Sequence, residues 1–92
     1  MSKEQTRKQK ILIADDSEMN RSILADMLEI EYEIIEAENG LEAISVLQSC
    51  ASELSLVLLD IVMPVMDGFE VLTIMNQRNW IEDVPVIMIS AD

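Results

Sequence analysis

Residues 56–68 read LVLLDIVMPVMDG, and this stretch decides the fold of the chain. The uninterrupted apolar run 56–59 ends abruptly on the carboxylate of Asp60, and Pro64 then interrupts the chain before Asp67 and Gly68 open an amphipathic segment. A run that is apolar on both faces predicts an interior parallel strand, because crossover helices cover both sides of such a sheet. Asp60 would then lie at the carboxyl end of the strand, where open α/β sheets place their chemistry.

Three more strand patterns lie on either side of this stretch, at 11–14 (ILIA), 32–37 (YEIIEA) and 86–89 (VIMI). Amphipathic segments separate them: one follows Ser17, a second follows Asn39 with Glu42 in a capping-box pattern, and a third begins near Asp67. The residues predicted to face inward are Met19, Ile23, Leu24, Met27 and Leu28 in the first segment, Leu41, Ile44 and Leu47 in the second, and Phe69, Leu72 and Met75 in the third. This β-α-β-α-β-α-β order predicts a parallel sheet with right-handed crossovers and helices on both faces.

Length and charge limit the class of protein. Ninety-two residues predict one domain, with residues 1–9 as a basic flexible tail and 10–92 as the folded part. The net charge is −12, and from Ile11 onward seventeen acids face two arginines, a net −15. Such an acidic body argues against direct binding of nucleic acid and is compatible with a cation site. No apolar run approaches the ~20 residues of a membrane span, and the amino end lacks a signal-peptide core, so we interpret the chain as a soluble cytoplasmic protein.

Oxygen-bearing side chains follow three of the predicted strands: Asp15 and Asp16 after the first, Asp60 after the third and Ser90 after the fourth. The carboxyl ends of parallel strands share one edge of the sheet, so these groups are expected to meet in one shallow pocket. Carboxylates held close together repel one another unless some are protonated or a cation neutralises them. Oxygen ligands with open positions suit Mg²⁺, which would also neutralise an incoming phosphoryl group.

The motifs ILIADDS at 11–17, EAENG at 36–40, LLDIVMPVMDG at 58–68 and PVIMISA at 85–91 resemble the response-regulator receiver domains of two-component signalling. The resemblance implies a flavodoxin-like, doubly wound parallel sheet with strand order 2-1-3-4 among the strands present. It also implies a phosphorelay function in which a sensor histidine kinase or phosphotransfer domain phosphorylates this chain. Independent enzyme activity is not expected beyond magnesium-dependent self-phosphorylation and autodephosphorylation.

Roles for individual residues follow from the resemblance. Asp60 would be the phosphoacceptor, and Asp15, Asp16, Asp60 and the backbone carbonyl of Val62 would hold Mg²⁺. Ser90 would be the switch hydroxyl that approaches the phosphoryl group, and the backbone amide of Ala91 would help to hold that group.

The sequence departs from the receiver pattern after its fourth strand. Receivers continue with a helix, a fifth strand that ends in a lysine, and a closing helix, and this sequence has no counterpart of them, so we interpret it as a truncated receiver. Strand 86–89 would then be an exposed apolar edge, which can template pairing with another chain. We therefore expect a homo-dimer through that edge.

Other functions compete with this interpretation. Asp15 and Asp16 read alone are typical of acids at a helix amino terminus, and Asp60 read alone is typical of a strand-end turn. A phosphatase with an aspartyl nucleophile would need a D-x-D pair after the first strand, and a dinucleotide site would need G-x-G-x-x-G. The remaining alternative is a self-association module that keeps the motifs without phosphotransfer.

Overall fold

A computed structural model describes residues 8–89 of the chain, and four parallel strands form its single sheet in the order β2-β1-β3-β4. The strands are β1 (Gln9–Ala14), β2 (Tyr32–Ala37), β3 (Leu54–Asp60) and β4 (Val86–Ile89), and they alternate with helices α1 (Glu18–Leu28), α2 (Gly40–Cys50) and α3 (Gly68–Gln77). The predicted flavodoxin-like topology is confirmed. Strand β1 begins at Gln9, inside the predicted tail, whereas residues 1–7 lie outside the described range. Among the described residues, no helix is long and apolar enough to cross a membrane.

The two faces of the sheet bury separate sets of side chains. Strand β1 shows this most clearly, because successive residues of a strand point to opposite faces. Leu12 and Ala14 join the larger core beneath α2 and α3, whereas Ile11 and Ile13 join a smaller cluster on the α1 side. Parallel pairing with β2 on one side and β3 on the other makes β1 an interior strand. Its carboxyl end therefore lies in the middle of the sheet edge.

Side-chain caps fix where the helices begin. Ser17 accepts a hydrogen bond from the Asn20 backbone N–H and caps α1, as its sequence position predicted. Asp67 and Glu70 form a complete capping box at the start of α3. At α2 the predicted box is only half formed: the Asn39 side chain accepts from the Glu42 N–H, but the Glu42 carboxylate accepts from the backbone of Glu38 instead. Caps of this kind are typically worth ~1 kcal/mol each.

Several predicted core positions are exposed in the structure. Helix α1 buries no residue fully; Leu24 and Leu28 pack on the smaller cluster, whereas Met19, Ile23 and Met27 face solvent. Leu41 of α2 and Phe69 of α3 are also exposed, so the prediction that all five face inward was wrong. Helix α1 packs on the smaller cluster through Leu24 and Leu28, and the Met27 side chain lines a groove of about 470 Å³ beside the strands. The buried faces of α2 and α3 instead start at Gly40 and Gly68.

Val65, in the loop between β3 and α3, has a left-handed backbone with φ of 69°. This region is strained for a β-branched residue, and the Val65 side chain is exposed, so packing offsets little of that cost. We expect Val65→Gly to raise the free energy of unfolding by about 1 kcal/mol in urea titrations. Val62→Gly is the matched control, because Val62 is equally exposed and has negative φ. If Val65→Gly destabilises the fold as much as Val62→Gly does, the strain is not real.

Candidate metal and phosphoryl site

Three carboxylates converge at the carboxyl edge of the sheet. Strand β3 ends on Asp60, and Asp15 and Asp16 directly follow β1. The register places Ala14 beside Leu59, so the residues after them meet across the two central strands. One carboxylate oxygen from each of Asp15, Asp16 and Asp60 lies within 4.8 Å of the other two. The cluster that the sequence predicted is therefore present in the fold.

Asp15 is buried and held from several directions. Its backbone N–H donates to the carbonyl of Ala37 at 3.0 Å, which extends the β1–β2 pairing past the end of the strand. Its carboxylate accepts a hydrogen bond from the Ser17 backbone N–H at 2.8 Å and a longer one from the Asn20 side-chain amide at 3.5 Å. Asp16 is exposed, so the cluster opens to solvent on its side. Both acids precede the N-cap Ser17 and hence lie outside the first turn of α1, where the helix-acid alternative would have put them.

Burial and the neighbouring carboxylates disfavour the charged form of Asp60. The residue is only 4% exposed. Loss of hydration raises the pKa of the Asp60 carboxyl, and the nearby charge of Asp15 raises this pKa further. The Val62 backbone N–H donates to Asp60 Oδ1 at 3.4 Å and opposes the shift, but this bond is long and weak. A positive charge that joins the cluster would therefore favour the ionised form of Asp60.

Two glycines hold the loop that follows Asp60. The Gly68 N–H donates to the carbonyl of Ile61 at 2.9 Å, and the Gly40 N–H donates to the carbonyl of Met66 at 3.1 Å. A Cβ on Gly68 would lie 2.3 Å from the backbone oxygen of Asp60, and a Cβ on Gly40 equally close to that of Met66. Only glycine allows the backbone to come this close to the carbonyl oxygens of Asp60 and Met66. Both glycines therefore fix the path of the loop that follows Asp60.

The donor set fits a hard divalent cation. Three carboxylates, two of them buried, offer only oxygen atoms, which are the ligands that Mg²⁺ and Ca²⁺ prefer. Burial and, after it, the charge of Asp15 raise the pKa of Asp60, and a cation in the cluster would offset both effects. The predicted roles of Ser90 and Ala91 fall on residues outside the described range. The predicted role of the Val62 carbonyl stays a prediction.

Arg21 also contacts the cluster, and the sequence patterns did not predict this contact. Its Nη1 donates to the backbone carbonyl of Asp15 at 2.7 Å, and its Nε lies 2.9 Å from Glu36 Oε1. Asn20 was missed as well. The sequence did contain a signal for both residues. Asn20 and Arg21 lie three and four residues after the N-cap Ser17, at the end of α1 that is nearest to Asp15 and Asp16.

The raised pKa of Asp60 predicts a pH-dependent cost to the metal-free fold. The folded state binds this proton more tightly than the unfolded chain, so stability falls as the pH rises through the pKa of Asp60. We therefore expect Asp60→Asn to be more stable than the wild type at pH 7 with a chelator present, and the difference to vanish in acid. Urea unfolding at several pH values measures this, with the exposed Asp26→Asn as control. An Asp60→Asn variant that is less stable at every pH would contradict the assignment.

Comparisons with known proteins agree on one family. The family model of the response regulator receiver domain matches residues 11–92 of the sequence. Over 88 residues the chain is 41% identical to a protein-glutamate methylesterase/protein-glutamine glutaminase of Pyrococcus horikoshii. That match covers 92% of this chain and 23% of the relative, so the chain spans less than a quarter of that protein's length.

Solved structures give the same result. The CheX–CheY–BeF₃–Mg²⁺ complex from Borrelia burgdorferi superposes with a TM-score of 0.83 at 32% identity, over 100% of this chain and 69% of that chain. The response regulator TrrA from Thermotoga maritima, solved with Mg²⁺ and beryllium fluoride, gives 0.81 at 36% identity, over 91% of this chain and 70% of that one. Both neighbours thus share the fold and a substantial part of the sequence.

Proposed function

The chain belongs to the response regulator receiver domain family of two-component signalling, and from this premise we propose that it accepts a phosphoryl group on Asp60 with Mg²⁺ in the acidic cluster. One observation carries the proposal: the carboxylates of Asp15, Asp16 and Asp60 converge within 4.8 Å at the carboxyl edge of the sheet. The donor would be a phosphohistidine on a sensor histidine kinase or a phosphotransfer domain.

The metal in this proposal is held by Asp15, Asp16 and Asp60, with the Val62 carbonyl as a further ligand. When bound, Mg²⁺ neutralises part of the charge on an incoming phosphoryl group. Two structural neighbours were solved with magnesium and beryllium fluoride, an anion with the shape of a phosphoryl group. Their likeness to this chain supports magnesium over other hard cations.

Asp60 is the nucleophile in the proposed reaction. A carboxylate oxygen attacks phosphorus, the new O–P bond forms as the P–N bond to the donor imidazole breaks, and the electron pair stays on that nitrogen. The product is an acyl phosphate on Asp60. Asp60 is buried, and its Oδ1 accepts a long, weak hydrogen bond from the Val62 N–H at 3.4 Å, which leaves this oxygen largely available for the reaction. Ser90 and the Ala91 amide would contact the transferred group.

The donor protein is expected to dock over the open side of the cluster. Met19, on the first turn of α1, and Val62, two residues after Asp60, are exposed apolar side chains that closely follow site residues in the chain. We expect the donor protein to contact these two side chains when its phosphohistidine reaches Asp60. A phosphohistidine donor made from ATP further implies a cytoplasmic location.

Acetyl phosphate provides the direct test, because it can donate without docking. We expect intact-protein mass spectrometry to show one added phosphoryl group when the chain is incubated with acetyl phosphate and Mg²⁺, and none when EDTA replaces Mg²⁺. Hydroxylamine should remove the group, because it cleaves acyl phosphates. A folded chain that binds Mg²⁺ but gains no mass, or an adduct that resists hydroxylamine, would contradict the proposal.

Self-association is a second candidate function, and the position of β4 favours it. Within residues 8–89 this strand is the edge of the sheet, and Ile87 on it is exposed. An apolar edge strand can pair with a second copy. We propose a homo-dimer through this edge, and we expect light scattering at micromolar concentration to report twice the monomer mass, with Ile87→Lys restoring the monomer. A monomeric wild type would exclude the dimer and leave the phosphoacceptor proposal intact.

A further inference from the structure

We propose that Arg21 is a positioning residue of the metal site, which holds the Asp15–Asp16 backbone so that both carboxylates face the cation. This inference rests on the proposed function, since it assigns a residue to the same site. It concerns a side chain that contributes no ligand atom and would not touch the phosphoryl group. Arg21 would affect the affinity for Mg²⁺ only by restraining the backbone of Asp15.

The contacts of Arg21 join three elements at one point. The guanidinium donates from Nη1 to the Asp15 backbone carbonyl at 2.7 Å and from Nε to Glu36 Oε1 at 2.9 Å. Its side chain is only 14% exposed, whereas that of Glu36 is 43% exposed. The guanidinium is rigid and planar, and its Nε and Nη1 groups both donate hydrogen bonds, so the distance and the angle between Asp15 and Glu36 are restrained together. The end of β1 is thereby tied to β2 and to the first turns of α1.

The carbonyl that accepts the hydrogen bond from Arg21 belongs to the peptide bond between Asp15 and Asp16. A peptide group is planar, so fixing its oxygen also fixes the start of Asp16. The other side of Asp15 is already fixed, because its N–H donates to Ala37 and its carboxylate accepts from Ser17. Arg21 therefore restrains the one remaining backbone group of Asp15 and, through it, the exposed acid that has fewer restraints of its own.

Position and charge make opposite predictions for Arg21, which makes the inference testable. A cation beside three carboxylates repels a bound metal, so removing its charge alone should tighten metal binding. Loss of positioning should weaken binding, because the two ligands must then be ordered when the ion arrives. Removing a partner that orients metal ligands typically costs ~10–100-fold in affinity. The sign of the change therefore separates the two effects.

The test is the dissociation constant for Mg²⁺, measured by isothermal titration calorimetry on the full 92-residue chain. We expect Arg21→Gln to bind about tenfold more weakly than the wild type. Arg21→Lys keeps the charge but loses the planar fork, so an intermediate loss is expected. Glu36→Gln weakens the anchor of Nε, because an amide oxygen is a poorer acceptor than a carboxylate, and should give a smaller loss. Arg78→Gln is the charge-matched control, because Arg78 is exposed and stacks over Trp80 instead.

The outcomes are distinguishable. Weaker binding in Arg21→Gln and Arg21→Lys, with wild-type affinity in Arg78→Gln, supports the inference. Unchanged or tighter binding in folded Arg21→Gln overturns it and leaves the proposed function standing. A folded wild type that does not bind Mg²⁺ overturns the proposed function and this inference together. If Arg21→Gln does not fold by circular dichroism, Arg21→Lys and Glu36→Gln decide, and wild-type affinity in both overturns the inference.

Discussion

Asp60→Asn is expected to abolish the phosphoryl adduct with acetyl phosphate and Mg²⁺ while the protein stays folded. An amide oxygen is a poor nucleophile, and the replacement also removes one of the three carboxylates that lie within 4.8 Å of one another. The variant should still fold, because Asn has nearly the same shape and because a neutral side chain removes the desolvation and the repulsion by Asp15 that raise the pKa of Asp60. Intact-protein mass measures the adduct, and circular dichroism confirms the fold.

Asp67→Asn is the matched control for this experiment. Asp67 lies in the same stretch of sequence and carries the same carboxylate, but it caps α3. Asn is as good a helix cap as Asp, so this variant should fold normally and gain the full adduct. Equal adducts on Asp60→Asn and the wild type would show that another residue is the acceptor. Loss of the adduct in both variants would mean that the loop, and not the Asp60 carboxylate, limits the reaction.

Gly68→Ala is expected to have a large effect on the stability of the fold and a marked effect on the site. Its Cβ would lie 2.3 Å from the Asp60 backbone oxygen and 3.0 Å from the Ile61 Cα, and both atoms belong to backbone that cannot rotate away. Overpacking of this kind typically costs ~1–3 kcal/mol. We expect the free energy of unfolding in urea to fall by about 2 kcal/mol. The displaced Asp60 should also take up the phosphoryl group more slowly per folded molecule.

Gly40→Ala separates the loss of stability from the slower formation of the phosphoryl adduct. Its Cβ would approach the Met66 backbone oxygen just as closely, so a similar loss of stability is expected. The strained atoms lie at the far end of the loop, so the rate of adduct formation per folded molecule should change less than in Gly68→Ala. Equal rates in the two variants would contradict a specific role of Gly68 in placing Asp60. A Gly68→Ala variant with wild-type stability would contradict the contact itself.

The sequence predicted the four strands and the three α-helices among residues 8–89, because each of them carries its own local signal, but it did not predict the short 3-10 helices Ala51–Glu53 and Trp80–Glu82. Strand β3 reads as a continuous apolar run, and Ser17 and Asp67 cap the helices that follow them. The alternation of strands and helices predicts a parallel sheet, whereas the strand order came from the resemblance to receiver domains. The three acids of the site were predictable for the same reason. Each directly follows or ends a strand, and parallel strands bring those ends together.

Side-chain burial on the helices was predicted less well. Met19, Ile23 and Met27 have helical spacing and apolar character, yet all three are exposed. Periodicity gives the direction of an apolar face, but how much of that face is covered depends on how closely the helix packs on the sheet. Helix α1 leaves a groove beside Ile11 and Leu56. The separation between this helix and the sheet cannot be read from a local sequence pattern.

By itself the sequence determined the order of the elements, their caps, the parallel direction of the strands and the meeting of Asp15, Asp16 and Asp60 at one edge of the sheet, since these depend on local propensity and on the alternation of strands and helices. Tertiary structure alone decided the burial of Asp60 that raises its pKa, the contact of Gly68 with the Asp60 backbone, and the contacts of Arg21 with Asp15 and Glu36. The physical reason is that each of these depends on distances of a few ångströms between segments far apart in the chain. Such distances are fixed only when the elements pack.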